Sequence, residues 1–231
     1  MGARVRILSA NLLNGGADPD ALAALVRRLG VDVAALQELS PEQAEALADV
    51  LPYGSLRPAR DYNGMGIALR APARESRVPL PRRDALVAEL GPEGWSELGA
   101  PLQIVNVHVT APHARAGGRN TFAERRGQLR GLLAHLEATH PRTPQVVIGD
   151  FNATPLWPVY RRLARVRRDA AHASAGRGGA RPRPTWGPGT RAPRVLRIDH
   201  AFVQALRVEA FRVERLPGSD HDAIVVDVTP D

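Results

Sequence analysis

Polar side chains follow or interrupt several short apolar runs of the sequence, where strands of a sheet are predicted to end. The set consists of Asn11, Glu38, His108, Asp150, Asn152, Asp199, Asp220 and His221. In α/β proteins ligand sites gather at such strand ends, because a rigid sheet holds the loops that follow. Each residue alone has a structural explanation, such as a turn or an ion pair. Their combined chemistry therefore carries the prediction.

Carboxylates and amides accompanied by two histidines suit a hard cation with oxygen ligands, Mg²⁺ or Mn²⁺. The same residue types suit hydrolysis at phosphorus, which needs a metal, a base for water and cations around the phosphoryl oxygens. The chain has no cysteine, which excludes a disulfide scaffold, a thiolate zinc site and thiol catalysis.

The elements that must position these residues alternate between apolar runs and amphipathic segments. Strands are predicted at 5–10, 31–36, 65–70, 84–90, 102–109, 146–148, 198–204, 208–215 and 223–228, and helices after Asp18, after Ser40 and from Thr121. Helices mixed with two groups of strands predict an α/β layered sandwich.

The length of 231 residues and the 44% of hydrophobic residues predict a single domain over 1–231. Its longest apolar runs are far too short to span a bilayer, and the first residues lack the pattern of a signal peptide. We therefore expect a cytoplasmic monomer without a transmembrane segment.

The net charge of +7 is concentrated in one segment. Residues 161 to 199 contain eleven arginines and two acids, which leaves the rest of the chain slightly acidic. The centre of this segment, about 174–194, is rich in Gly, Pro and Arg and predicts a basic loop. Arg177, Arg181 and Arg183 are its candidate substrate-binding residues, as guides for an anionic phosphoester. A solvated loop of mutually repelling arginines is the alternative.

Six motifs in sequence order resemble the endonuclease/exonuclease/phosphatase superfamily of metal-dependent phosphoesterases. They are SANLLNG, VAALQEL, VNVHV, VIGDFNATP, RIDHAFV and GSDHDAIV, spread over nearly the whole chain. The resemblance implies a DNase I-like four-layer sandwich, with two mixed sheets packed face to face, helices outside and the active site at one edge. It also implies a small bacterial hydrolase branch of the superfamily.

The resemblance assigns the metal site and the base. Glu38 becomes the principal Mg²⁺ or Mn²⁺ ligand, with Asn11 beside it and Asp220 completing or supporting the site. Asp150 is expected to orient and deprotonate the attacking water, and Asn152 to hold the base or the phosphate.

The phosphate contacts are implied in the same way. His221 is expected to contact the phosphoryl oxygens while Asp199 orients its imidazole, and His108 occupies a second phosphate-contacting position. Arg83 is a further candidate for substrate binding, with a surface ion pair as its alternative. We interpret Arg126 and Gln128 mainly as helix surface.

His108 stands where the abasic-site repair branch typically has tyrosine, which argues against an abasic-site endonuclease. We favour a phosphodiesterase, with nucleic acid as a candidate substrate. A phosphatase or phosphodiesterase acting on lipid-, inositol- or sugar-linked phosphates is the enzymatic alternative, so a peripheral membrane substrate stays open. A non-catalytic phosphate-binding module is the alternative of another class.

Aromatic residues form only 4% of the chain, and Trp186 and Tyr62 are the candidates for stacking on a base.

Overall fold

The computed structural model describes residues 4–112, 121–175 and 182–230, so the predicted sites Arg177 and Arg181 lie outside the described residues. Within these ranges the chain forms twelve strands and five helices. The strands are β1 (Val5–Asn11), β2 (Val33–Gln37), β3 (Tyr53–Arg57), β4 (Met65–Leu69), β5 (Arg74–Val78), β6 (Ala85–Leu90), β7 (Leu102–His108), β8 (Gln145–Asp150), β9 (Arg168–Asp169), β10 (Asp199–Gln204), β11 (Leu206–Glu214) and β12 (Ala223–Pro230). The helices are α1 (Pro19–Leu29), α2 (Pro41–Ala48), α3 (Thr121–Ala138), α4 (Pro158–Val166) and α5 (Ala170–Ala175).

The strands form two six-stranded mixed sheets, in the orders β11-β12-β1-β2-β4-β3 and β5-β6-β7-β8-β10-β9. Each sheet has one parallel pair, β1 with β2 and β7 with β8. These pairs align strand ends: Asn11 lies opposite Gln37, the residue before Glu38, and His108 lies opposite Asp150. The register of both sheets therefore brings polar residues that are distant in sequence to one edge.

Three apolar clusters separate four layers. The central cluster packs the two sheets face to face and includes Ile7 and Ile148. A second cluster joins the outer face of the first sheet to α1 and α2 through residues such as Leu22. A third joins the outer face of the second sheet to α3 and α4 through Leu132 and Leu163. This four-layer α/β sandwich confirms the predicted fold class.

The sequence signals for helix ends also hold. Asp18 accepts a hydrogen bond from the backbone of Ala21 at 2.8 Å, and Gly30 ends α1 in the left-handed conformation. Ser40 and Gln43 form a capping box at the start of α2, the helix predicted after Ser40. None of the helices in the described ranges combines the length and apolar character needed to cross a bilayer.

Five elements escaped the sequence analysis: β3, β5, α4 and the short β9 and α5. The strands β3 and β5 lie at the edges of their sheets and are largely exposed, so they lack the apolar pattern of buried strands. Helix α4 lies in the arginine-rich segment, where charge obscures the pattern. Its inner face consists of Val159, Tyr160 and Leu163, at helical spacing.

Candidate active site

The predicted strand-end residues meet at a cavity of about 420 Å³ at one edge of the two sheets. Its lining includes Asn11, Glu38, Arg83, His108, Asp150, Asn152, Trp186, Asp220 and His221. Asn11 links the two sheets, because its Nδ2 donates to Glu38 Oε1 and to Asp150 Oδ2, each at 3.1 Å. Its Oδ1 accepts from the backbone of Leu13 at 3.0 Å. The Asn11 amide nitrogen, rather than its oxygen, therefore faces the two carboxylates.

Asp150 lies buried at the end of β8. Its Oδ1 accepts the backbone N–H of Asn152 at 2.7 Å, and its Oδ2 accepts Asn152 Nδ2 at 3.0 Å. Burial and the charge of Asp199 raise the pKa of Asp150, whereas the positive charge of His221 and these hydrogen bonds lower it. The resulting pKa is about 7. A carboxyl group with this pKa can accept a proton near neutral pH.

Glu38 follows β2 with a φ of +56°, a left-handed conformation that is uncommon for a residue with a side chain. Its Oε2 is buried and has no hydrogen-bond partner within the described ranges. Burial raises the pKa of Glu38, although the hydrogen bond from Asn11 opposes this. A buried carboxylate oxygen without a donor indicates a site for a cation.

His221 is held from behind by Asp199. The distance from His221 Nδ1 to Asp199 Oδ2 is 2.9 Å, which leaves Nε2 directed away from this carboxylate. Burial lowers the pKa of His221, but the charge and hydrogen bond of Asp199, with Asp150 and Asp220, raise it to about 9. The structure thus places Asp199 behind the histidine, outside the cavity lining.

The end of the predicted basic loop is part of the site. The backbone of Trp186 forms antiparallel β-bridges with Leu196 and with His221. Its side-chain Nε1 donates a hydrogen bond to Asp220 Oδ2 at 3.0 Å. The preceding residue, Thr185, is fully buried and donates to Asp199 at 2.6 Å. Both residues lie outside the helices and strands, yet their side chains are fixed by contacts with Asp199 and Asp220. Sequence reasoning missed Thr185 because a lone threonine among Gly, Pro and Arg carries no distinguishing signal.

Asp220 is half-buried beside His221. Its second oxygen, Oδ1, is buried and has no hydrogen-bond partner in the part of the chain that the structure describes. The closest approach of His221 Nε2 to this oxygen is 4.0 Å, too long for a hydrogen bond. Asp220 and Glu38 thus each bring one unsatisfied carboxylate oxygen to the same cavity.

His108 and Arg83 complete the polar lining. His108 Nε2 lies 3.7 Å from Glu38 Oε1 and 3.6 Å from Asp150 Oδ2. Burial, together with the charge of Arg83, holds the pKa of His108 well below its ordinary value. Arg83 carries two buried guanidinium nitrogens, Nε and Nη1, without partners among the described residues. A surface ion pair therefore does not account for Arg83.

Helix α3 supports the site from outside. Gln128, interpreted above as helix surface, is buried: its Oε1 accepts the backbone N–H of Thr110 and its Nε2 donates to Pro81. That interpretation was wrong, because α3 packs this polar face onto the loops of the site. Arg125, which sequence reasoning missed, donates to the backbone oxygens of Thr110 and Asn152. Its side chain thereby fixes the loops that follow β7 and β8.

The metal-binding capacity of these residues can be judged from their donor atoms. The unsatisfied oxygens of Glu38 and Asp220 are hard ligands of the type that Mg²⁺ and Mn²⁺ prefer. Potential ligand atoms of Asp150, Asp199 and His221 also lie within 4.8 Å of one another. In that group, however, Asp199 and His221 already bond to each other. The donor types present in the cavity therefore fit a divalent cation.

The fold and this cluster together define a phosphoesterase scaffold of the four-layer sandwich class. The chain belongs to the Endonuclease/Exonuclease/phosphatase family, whose family model matches residues 8–221. Members of this family are hydrolases that act on phosphoesters.

Solved structures of the same fold cover almost the whole chain. An endonuclease/exonuclease/phosphatase from Bacteroides vulgatus is 19% identical with a TM-score of 0.76, covering 99% of this chain and 100% of its own. The human Nocturnin catalytic domain with bound sulfate is 20% identical with a TM-score of 0.71, covering 100% and 96%. TDP2 from D. rerio, complexed with single-strand DNA product, is 18% identical with a TM-score of 0.74, covering 98% and 99%. The search of curated proteins finds no match.

Proposed function

We propose that this protein is a divalent-metal-dependent phosphodiesterase that cleaves its substrate by attack of an activated water at phosphorus. One observation carries the proposal: a single cavity presents a buried aspartate, a histidine held by a second aspartate, and two carboxylate oxygens without donors. A merely phosphate-binding module has no need of buried, unpaired carboxylates, because they repel an anion. A catalytic role therefore explains the buried aspartate, the histidine and the two carboxylate oxygens better than phosphate binding alone.

The proposed metal ligands are Glu38 and Asp220, through their unsatisfied oxygens. Asn11, assigned beside the metal by the family resemblance, is proposed to hold Glu38 and Asp150 together through its amide nitrogen. When bound, Mg²⁺ or Mn²⁺ supplies Lewis-acid polarisation of a phosphoryl oxygen and neutralises negative charge.

Asp150 is proposed as the general base. Its hydrogen bonds with Asn11 and Asn152 fix the carboxylate, and a pKa of about 7 allows it to take a proton from water. His221 is proposed to donate a hydrogen bond from Nε2 to a phosphoryl oxygen, with Nδ1 fixed by Asp199. The unpaired nitrogens of Arg83 and the imidazole of His108 are proposed to contact other oxygens of the same group.

Nucleic acid is the favoured substrate class. Its support is the basic segment, and the resemblance of the fold to TDP2, which has been solved with a single-strand DNA product. Arg183, exposed in the structure, and Arg177 and Arg181 remain proposed guides for the anionic substrate. Phosphate esters of lipids, inositols or sugars are the other outcomes of the test.

The test is a screen of hydrolysis with Mg²⁺ or Mn²⁺ on plasmid DNA, RNA, bis-p-nitrophenyl phosphate and phosphorylated lipids. The wild type is compared with Asp150→Asn and with Asp49→Asn, a control on the far end of α2. We expect turnover in the wild type and the control, and loss of at least about a thousandfold in Asp150→Asn. Turnover by Asp150→Asn at the wild-type rate, or no turnover of any ester by the wild type, would refute the proposal.

A further inference from the structure

The outer surface of α4 carries a row of arginines. Arg161, Arg162 and Arg165 lie on the helix face opposite its buried residues, and Arg168 follows as the first residue of β9. All four are exposed. At 1.5 Å of rise per residue, Arg161 and Arg165 are separated by about 6 Å along the helix. We name these four residues the α4 basic track.

These four arginines are among the exposed ones that have no carboxylate partner within the described ranges. None of the four has a carboxylate within 4.0 Å among the described residues, whereas twelve other arginines do. The only acid between Asp150 and Asp199 in the sequence is Asp169. That carboxylate is occupied by Arg197 at 2.8 Å and by the hydroxyl of Tyr160 at 2.6 Å. The positive charge of the track is thus uncompensated.

The lower end of the track opens into a surface cleft of about 680 Å³. Arg165, Arg167, Arg168 and His172 contribute basic groups to its wall. Arg167 is buried and donates to Gln145, Val166 and Leu136, all of which are uncharged acceptors. Its charge therefore also remains without a counter-ion among the described residues.

The upper end of the track adjoins the catalytic loop. Trp157, directly before α4, packs against Arg125, whose guanidinium lies 5.6 Å from the centre of the indole ring and donates to the backbone of Asn152. At the lower end, Arg168 pairs with Val203 of β10, four residues beyond Asp199. Four residues of a strand span about 13 Å. The track therefore runs from one helical turn beyond Trp157 to a strand position about 13 Å from Asp199, which is a distance of a few nucleotides.

We propose that the α4 basic track binds the phosphate backbone of a nucleic acid whose scissile ester lies in the active-site cavity. The inference rests on the proposed function and adds a second contact region that its substrate must reach. A row of unpaired arginines matches a ligand with repeated phosphates better than one small ester. A membrane surface fits less well, because the apolar face of α4 is packed in the protein core and cannot insert into a bilayer. This face consists of Val159, Tyr160 and Leu163.

The first experiment measures binding without metal, so that catalysis does not enter. A labelled single-stranded DNA of roughly 20 nucleotides is titrated in EDTA over a range of salt concentrations. The variant is Arg161→Gln/Arg165→Gln/Arg168→Gln, and the matched control is Arg27→Gln/Arg57→Gln/Arg130→Gln, which removes three other exposed arginines that have no carboxylate within 4.0 Å among the described residues. We expect the track variant to bind about tenfold more weakly or worse, with a salt slope shallower by about 2, since each lost phosphate contact contributes about 0.7. The control is expected to retain the wild-type slope.

A second readout separates this inference from the proposed function. The ratio of kcat/KM for the oligonucleotide to that for bis-p-nitrophenyl phosphate is expected to fall at least about tenfold in the track variant, because only the longer substrate reaches the track. Equal affinities and slopes for the two triple variants would overturn the inference. So would binding by the wild type to anionic phosphatidylglycerol vesicles but not to DNA. If the wild type hydrolyses no ester yet binds DNA through the track, the proposed function is wrong, whereas the inference that the track binds nucleic acid is supported.

Discussion

Thr185 donates its hydroxyl to Asp199 Oδ2 at 2.6 Å, and the same carboxylate oxygen lies 2.9 Å from His221 Nδ1. The Thr185 oxygen also accepts the backbone N–H groups of Ile198 and Asp199, each at 3.2 Å. With its acceptor positions taken by two backbone donors, the hydroxyl proton is directed at the carboxylate. Thr185, within the basic segment, therefore fixes the aspartate that in turn fixes the histidine.

Replacement of Thr185 by valine keeps the size of the side chain and removes the hydroxyl. We expect Thr185→Val to lower kcat by roughly ten- to a hundredfold, since a hydrogen bond to a charged group contributes about 1.5–3 kcal/mol. KM is expected to change less, because Thr185 does not line the cavity. Steady-state kinetics on bis-p-nitrophenyl phosphate provides the measurement.

The complementary variant, Thr185→Ser, keeps the hydroxyl and loses the methyl group. It is expected to retain most of the wild-type kcat even if its free energy of unfolding falls. If serine and valine lower kcat equally, packing rather than the hydrogen bond explains the effect, and the positioning role of Thr185 is wrong.

Glu38 is expected to reduce stability when no metal is bound. Its Oε2 is buried without a donor, and burial raises its pKa, so the ionised form is disfavoured in the folded protein. Glu38→Gln removes the charge and keeps an oxygen for Asn11. We expect the free energy of unfolding in EDTA at pH 8 to rise by about 1 kcal/mol, and the affinity for Mn²⁺ to fall at least about tenfold.

Urea unfolding in EDTA and calorimetric titration with Mn²⁺ measure the two quantities. Glu42→Gln is a suitable control, because Glu42 is exposed on α2 and lies outside the cavity lining. Unchanged Mn²⁺ affinity in Glu38→Gln would remove Glu38 from the proposed metal site.

The pattern of apolar runs predicted an α/β layered sandwich, and the resemblance to a known family implied its four layers. The residues that meet in the cavity could be predicted because strand ends are visible in the same pattern. The position of Asp150 beside Asp199 follows from the register of β8 and β10, once both strands are known. The role of Thr185 did not follow, because its contacts with Asp199 depend on how a segment rich in Gly, Pro and Arg returns to the sheet. Such a path is set by tertiary contacts, which local patterns do not encode.

The burial of Gln128 was missed for a related reason. Its polar side chain on an amphipathic helix predicts an exposed position. In the structure, however, the side-chain oxygen and nitrogen both form hydrogen bonds with the backbone of loops beside the site. Buried polar residues that satisfy loops are indistinguishable from surface residues in a single sequence. His200 follows Asp199 in β10, and its ring lies against the backbone oxygen of Ala153.

Gly149 is required by the close approach of β7 to the residue before the proposed base. It has a φ of +145°, and a Cβ atom at this position would lie 1.9 Å from the backbone oxygen of Val107. We expect Gly149→Ala to lower the free energy of unfolding by about 3 kcal/mol or more, because both strands must shift to relieve the overlap. Gly99→Ala is the control, since a Cβ there meets nothing within 4 Å. Equal urea midpoints for the two variants would contradict this account of the strand pair.

His200 is expected to make the protein less stable in mild acid. It is fully buried, its ring contacts Phe151, Tyr160 and Phe202, and its Nε2 lies 2.7 Å from the backbone oxygen of Ala153. Burial, with the charge of Arg197, lowers the pKa of His200 to about 4, although this hydrogen bond and the charges of Asp169 and Asp199 oppose the shift. The folded protein therefore favours the neutral form of the His200 imidazole.

Between pH 6.5 and pH 4 the unfolded chain binds a proton at His200 that the folded protein does not. The contribution to stability is fully present above pH 6.5 and is lost as the pH falls toward 4, to a total of about 3 kcal/mol. His200→Gln keeps a hydrogen-bond donor for Ala153 and does not titrate. The difference between the unfolding free energies of wild type and variant, measured with urea in EDTA, is expected to shrink by this amount on acidification. A pH-independent difference for His200→Gln would show that His200 is not kept neutral in the folded protein.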